Sequence, residues 1–205
     1  MASGMARSVT AMGLTFALSV STNPAQAASA AALATMPIEQ AATELSPNQF
    51  VWKDDNANGG ANEPVSIVIS LLEQRAFVYR GATMIAATTI SSGKDGKDTP
   101  LGTYPILQKN AVHKSNLYND ASMPFMQRLT WDGIAIHAGR NPGFPDSHGC
   151  IRVPLGFAKQ LFAVTTLGTT VTVTDDFEGG VMPEPPVPDQ ETAIANLRQS
   201  VSLEQ

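Results

Sequence analysis

At 205 residues, with 43% hydrophobic and 15% charged side chains, the chain carries enough apolar surface for one ordinary core. A formal net charge of -5 and the lack of a basic stripe argue against a nucleic-acid partner. The single cysteine rules out a disulfide within the chain.

In chain order, the first expected element is a cleavable signal peptide over residues 1–27. Met1 to Arg7 carries one positive charge and no acid, Ser8 to Ser21 is mainly small and apolar, and Pro24-Ala25-Gln26-Ala27 ends in the small-x-small pattern cut by signal peptidases. The apolar run is interrupted by Thr10, Thr15 and Ser19 and falls short of the ~20 residues a membrane span needs, so no stable membrane insertion is expected. The expected location is the periplasm. Residues 28–63 are rich in Ala, Asn, Pro and Gly and read as a flexible linker, with a short helix near Ile38 to Leu45. A folded domain is expected over 64–176 and a Pro-rich tail over 177–205, where VMPEPPVPDQE excludes a central strand or helix.

Within the domain, Val65 to Leu72, Ala76 to Tyr79 and Met84 to Ser91 are strand-like runs with meander spacing, followed by strands at Gly102 to Gln108 and Gly133 to His137. One helix is expected to start near Pro154, placing Leu155, Ala158, Leu161 and Phe162 along one side. A last strand, Thr169 to Thr174, alternates valine and threonine. The fold class is therefore mostly β with one packed helix.

Chemistry concentrates in HAGRNPGFPDSHGC, His137 to Cys150, which holds two of the three histidines and the lone cysteine. Alternation along Gly133 to His137 puts Ile134 and Ile136 toward the core and His137 on the opposite face, among small residues. The turn formers from Gly139 to Asp146 allow a compact excursion that brings Cys150 back beside His137. A thiol needs a nearby base to become a nucleophile, and His137 and His148 are the candidates. Backbone N–H groups around Gly149 and Cys150 suit a developing oxyanion, and the forked cation of Arg152 suits a substrate carboxylate. Two histidines and a cysteine also match a catalytic zinc set, but no HExxH helix accompanies them. A packed, inert cysteine is the bland alternative. His113, in a polar run, reads as a solvated loop residue.

Ser147-His148-Gly149-Cys150-Ile151-Arg152, preceded by Ile136-His137, resembles the signature of the L,D-transpeptidase catalytic domain, also called the YkuD domain. Ile67 to Tyr79 resembles the opening hairpin of that family. Ser91-Ser92-Gly93-Lys94 with Thr99-Pro100-Leu101-Gly102 resembles its SxGK…TPxG segment, and Ser122 to Phe125 through Arg128-Leu129 is similar to a stretch preceding the histidine in proteobacterial members. The resemblance spans about Val65 to Asp175. It implies a β-sandwich acting, without cofactor or metal, on peptidoglycan stem peptides. Cys150 would be the nucleophile that forms a thioester with the third stem residue, and His137 the proton acceptor. Ser147, His148 and Gly149 would shape the pocket and oxyanion site, and Arg152 would bind substrate. The acceptor would be a second stem, giving a 3→3 cross-link, or an outer-membrane protein amine. An L,D-carboxypeptidase or wall hydrolase using the same cysteine, and a non-catalytic wall-binding module, are the alternatives. Asp146 and Val153 depart from the family pattern, and an unpaired Asp146 near the thiol would raise its pKa.

Overall fold

The computed structural model describes residues 31–53, 63–115 and 120–176. The expected signal peptide and C-terminal tail lie outside them. Among the described residues the order is α1 (Ile38–Thr43), β1 (Phe50–Trp52), β2 (Val65–Ser70), β3 (Arg75–Arg80), β4 (Thr83–Thr89), β5 (Gly102–Pro105), β6 (Gln108–Asn110), β7 (Met126–Arg128), β8 (Ala135–Ala138), β9 (Ile151–Val153), α2 (Leu155–Val164) and β10 (Thr170–Thr174). They build two sheets, β1-β4-β3-β2-β10-β5 and β6-β7-β8-β9. The architecture is mostly β, as the sequence patterns indicate.

The two sheets share one core. Ile67, Ile69 and Val78 from the large sheet, Ile136, Ile151 and Val153 from the small one, and Phe157 and Leu161 of α2 pack together. Phe157 meets Phe50 and Trp52 edge-on, with ring centroids 5.9 and 5.5 Å away, geometry that favours aromatic pairs. The inward side of α2 is thus Phe157, Ala158 and Leu161, whereas Leu155, expected on that side, is 60% exposed. Pro154 forms the N-cap, so Leu155 starts the helix on its outer turn. At the other end, Lys109 Nζ donates to the carbonyls of Phe162 (2.7 Å) and Thr165 (2.6 Å), satisfying acceptors at the helix terminus.

The expectation of a flexible linker over 28–63 is corrected for residues 31–53. Leu33, Ile38, Ala41, Ala42 and Leu45 are buried against Val68, Phe77, Tyr79 and Met84, on the face of the large sheet that points away from α2. β1 continues that sheet by antiparallel pairing with β4. The physical reason lies in β2 and β3. Both strands are largely buried on both faces, and a strand buried on both sides needs two covers. Residues 54–62 lie outside the described set.

Candidate active site

β8 and β9 run parallel, with Ile136 opposite Ile151 and His137 opposite Arg152. Ile136 and Ile151 face the shared core, so His137 and Arg152 stand on the other face of the small sheet. Cys150, two residues before Arg152, falls on that same face, packed with Met123, Met126 and Ala135. The excursion between the strands therefore returns the cysteine to the face of the small sheet that carries the histidine. Both line a groove of about 370 Å³, together with Ser147, His148, Arg152, Arg140, Ile134 and Met123 among others.

The excursion is pinned along its length. Asn141 Nδ2 donates to the Thr89 carbonyl at 2.6 Å, Ser91 Oγ to the Phe144 carbonyl at 2.8 Å, and the Asp146 and Ser147 amides to the Ser92 carbonyl at 3.1 and 2.9 Å. Ser91 and Arg152 exchange backbone bonds in both directions at 3.0 Å. The Ser91 to Lys94 stretch thus acts as a backbone rail for the cysteine segment. Thr99 adds a fastening beneath it: its Oγ1 accepts the Gly93 N–H at 2.9 Å and donates to the Gly149 carbonyl at 2.8 Å. A Cβ on Gly93 would fall 1.9 Å from the Lys97 carbonyl oxygen, so only glycine fits the rail there.

Gly149 turns the chain with φ +113°, a backbone conformation that L side chains rarely adopt. It does not line the groove. Its N–H donates to Ser147 Oγ at 3.1 Å, and that hydroxyl donates in turn to the Cys150 carbonyl at 2.5 Å. Of the backbone N–H groups around Gly149 and Cys150 expected to suit an oxyanion, that of Gly149 is thus engaged by Ser147 Oγ. Strand conformation begins at Ile151.

His137 Nδ1 lies 2.8 Å from the Ala138 carbonyl. A carbonyl only accepts, so Nδ1 carries the proton and Nε2 keeps a lone pair. Burial lowers the pKa of the ring, the Ala138 bond opposes that shift, and the charges of Arg152 and His113 add to the lowering. The Cys150 thiol donates to the Gly133 carbonyl at 3.4 Å. Burial raises its pKa, against the hydrogen bond from Ala135 and the nearby charges of Arg152 and Arg128. The resting pair is a neutral imidazole and a neutral thiol.

His148 is exposed on the groove wall, where it shapes the opening. Of the two candidate bases, His137 is the buried one with a fixed tautomer. Asp146 is not the unpaired carboxylate that would act on the thiol, since Arg140 Nη1 lies 2.6 Å from its Oδ2. His113 is not simply solvated: it lines a neighbouring cavity of about 300 Å³ that shares Ser115, Met123, Asp132 and Gly133 with the groove. Among the described residues no group of three or more His, Cys, Asp or Glu side chains is placed to hold a metal ion.

The model of the L,D-transpeptidase catalytic domain family matches residues 64–173, more than half of the chain. An L,D-transpeptidase from Stackebrandtia nassauensis superposes with a TM-score of 0.51 at 23% identity, covering 55% of this chain and 56% of that one. One from Mycobacterium tuberculosis H37Rv gives 0.51 at 21%, covering 54% and 57%. One from Mycobacterium smegmatis gives 0.50 at 21%, covering 54% and 58%. The chain thus aligns with less than two-thirds of the length of these structures, and at such identities the likeness shows the fold. No curated protein matches the chain.

Proposed function

The chain belongs to the L,D-transpeptidase catalytic domain family, and on that premise we propose that it transfers acyl groups between peptidoglycan stem peptides through a thioester on Cys150. One observation carries the reading: the chain's sole thiol and an imidazole whose tautomer leaves Nε2 basic share one groove.

The donor's third-residue carbonyl enters beside Cys150. Nε2 of His137 takes the thiol proton as sulfur forms its bond to the carbonyl carbon, so the ion pair arises together with the attack. The oxyanion takes the Cys150 amide, which the Ser147 and Thr99 contacts hold in place. The C–N bond then breaks, the proton on Nε2 passes to the leaving D-alanine amine, and a thioester remains. An incoming amine attacks the thioester and gives its proton to Nε2. The new amide leaves, the proton returns to sulfur, and Cys150 is regenerated. The acceptor amine belongs to a second stem, giving a 3→3 cross-link, or to an outer-membrane protein, and the site of action is the periplasm.

Incubation with a stem tetrapeptide should add the tripeptide acyl mass to the protein and release D-alanine, and an added stem amine should convert the adduct into a 3→3 dimer. Cys150→Ala should abolish both, and His137→Gln should slow acylation by about 10²–10⁴-fold. Adducts or dimers that survive Cys150→Ala would refute the assignment. Release of free tripeptide in place of dimer would assign the carboxypeptidase reaction, with water as acceptor.

A further inference from the structure

Arg140, Asp146 and Arg152 meet on the wall of the groove, all supplied by the excursion and the strand that follows it. Arg140 Nη1 lies 2.6 Å from Asp146 Oδ2, and Arg152 Nη1 lies 3.5 Å from the same oxygen. Two guanidiniums therefore share one carboxylate oxygen, and the cluster keeps a net charge of +1. The Arg152 side chain is 21% exposed and that of Arg140 72%. Both arginines line the groove that holds Cys150.

The placement of Arg152 is fixed from below. Its backbone is bonded twice to Ser91, and its stem lies over Gly139, where a Cβ would come within 3.2 Å of its Cγ and Cδ. Its guanidinium has five N–H donors, yet the one hydrogen bond it makes to a described side chain is long. Arg140, in contrast, holds Asp146 tightly. Such a cluster has room for a second anion, because a planar carboxylate can take two parallel bonds from a guanidinium fork.

We infer that Arg140 and Arg152 form a carboxylate subsite of the groove, in which Asp146 stands in for the substrate's carboxylate and competes with it. The inference rests on the stem-peptide reading above and adds Arg140 and Asp146 as specificity-determining residues. Asp146 makes the subsite selective: an anion must offer both arginines better geometry than Asp146 does before it binds. The stem donor carries two suitable carboxylates, the terminal one on the leaving residue and the side-chain one on the third residue.

Binding tests this without turnover. In a Cys150→Ala background, calorimetry compares a stem tetrapeptide with its C-terminal amide and with its third-residue side-chain amide. The preference for the free acid over one of the two amides identifies the carboxylate that is read. Adding Arg140→Gln should shrink that preference by about two- to fivefold, the size expected for one largely exposed charge pair. Adding Asp146→Asn should enlarge it by a similar factor, while Arg140→Lys, which keeps the charge and loses the fork, should fall in between. The inference is overturned if the native groove binds acid and both amides alike, or if Arg140→Gln and Asp146→Asn change acid and amide binding equally, as a general loop defect would. Intact-protein mass spectrometry of native chain with the same peptides reports separately on the thioester, so loss of the acylation reading and loss of the subsite are distinguishable.

Discussion

Thr99 is 4% exposed and its hydroxyl joins two backbone groups, the Gly93 N–H and the Gly149 carbonyl. Thr99→Val keeps the shape and removes both bonds. A part-buried backbone donor and a buried acceptor are then orphaned, at about 1–3 kcal/mol each, so about 2–6 kcal/mol of stability should be lost. For a domain of this size that corresponds to a fall in Tm of at least about 5 °C. Thr99→Ser keeps the hydroxyl and should lose about 1 kcal/mol, the contribution of one methyl group. Thermal unfolding followed by circular dichroism measures both. Because Gly149 immediately precedes Cys150, the valine variant should also form the stem-peptide adduct at least about tenfold more slowly under conditions where it is folded. A valine variant within about 0.5 kcal/mol of the native protein would refute the idea that Thr99 fastens the cysteine turn.

Three further outcomes follow from the described geometry. Alkylation of Cys150 by iodoacetamide should accelerate steadily as pH rises past 9.0, since burial pushes the thiol above that ordinary value and less than about 1% is thiolate at pH 7; a rate plateau between pH 6 and 8 would instead reveal a resting thiolate–imidazolium pair. Leu45→Ala should cost about 2–3 kcal/mol in denaturant unfolding, because Leu45 is 5% exposed in the cover over Phe77; a cost below about 0.5 kcal/mol would restore the linker reading. Stability should be highest between the two ordinary values. A buried His137 with a lowered pKa stays neutral in the folded chain while the unfolded chain binds a proton, so its contribution is complete above 6.5 and declines as pH falls below it. A raised thiol pKa has the mirror effect, with stability declining above 9.0, and His137→Gln should flatten the acid limb alone.

The site was legible in the sequence because its chemistry is sparse. One cysteine, and a histidine on a strand face opposite two isoleucines, allowed few arrangements, and the parallel register of β8 and β9 realises one of them. The fastenings were not legible. Thr99 acts across 50 residues on Gly149, and Gln74, with φ +49°, bonds Ser92 from a turn that reads as ordinary polar sequence. Such contacts depend on which backbones the fold brings together, and local patterns carry no record of that. The buried N-terminal segment is a different case, because the signal for it was present. Ala76-Phe77-Val78-Tyr79 is apolar on both faces, which implies a second covering layer. Its alanine-rich composition suggested loose chain, while in the fold the same alanines allow α1 to approach the sheet closely, with Ala41 and Ala42 fully buried.

On the proposed mechanism, the electrostatics of the pair bear on how the thiol proton moves. Burial acts on both partners against charge: it raises the thiol pKa and lowers the imidazole pKa, so proton transfer within the empty groove is uphill. Arg152 acts in both directions at once, favouring thiolate on Cys150 and disfavouring imidazolium on His137. A carboxylate bound at Arg152 cancels part of that positive charge. The imidazolium gains and the thiolate loses, and the two changes partly offset each other in the transfer itself. An anion on Arg152 would therefore favour protonation of His137 while making the imidazolium a weaker acid toward the leaving amine. Replacing Arg152 with glutamine removes a cation that disfavours imidazolium on His137, so it should change how strongly acylation depends on the leaving amine; intact-protein acylation rates across donors with leaving amines of graded basicity measure that slope, and a slope unchanged from the native chain would show that Arg152 has no influence on proton delivery.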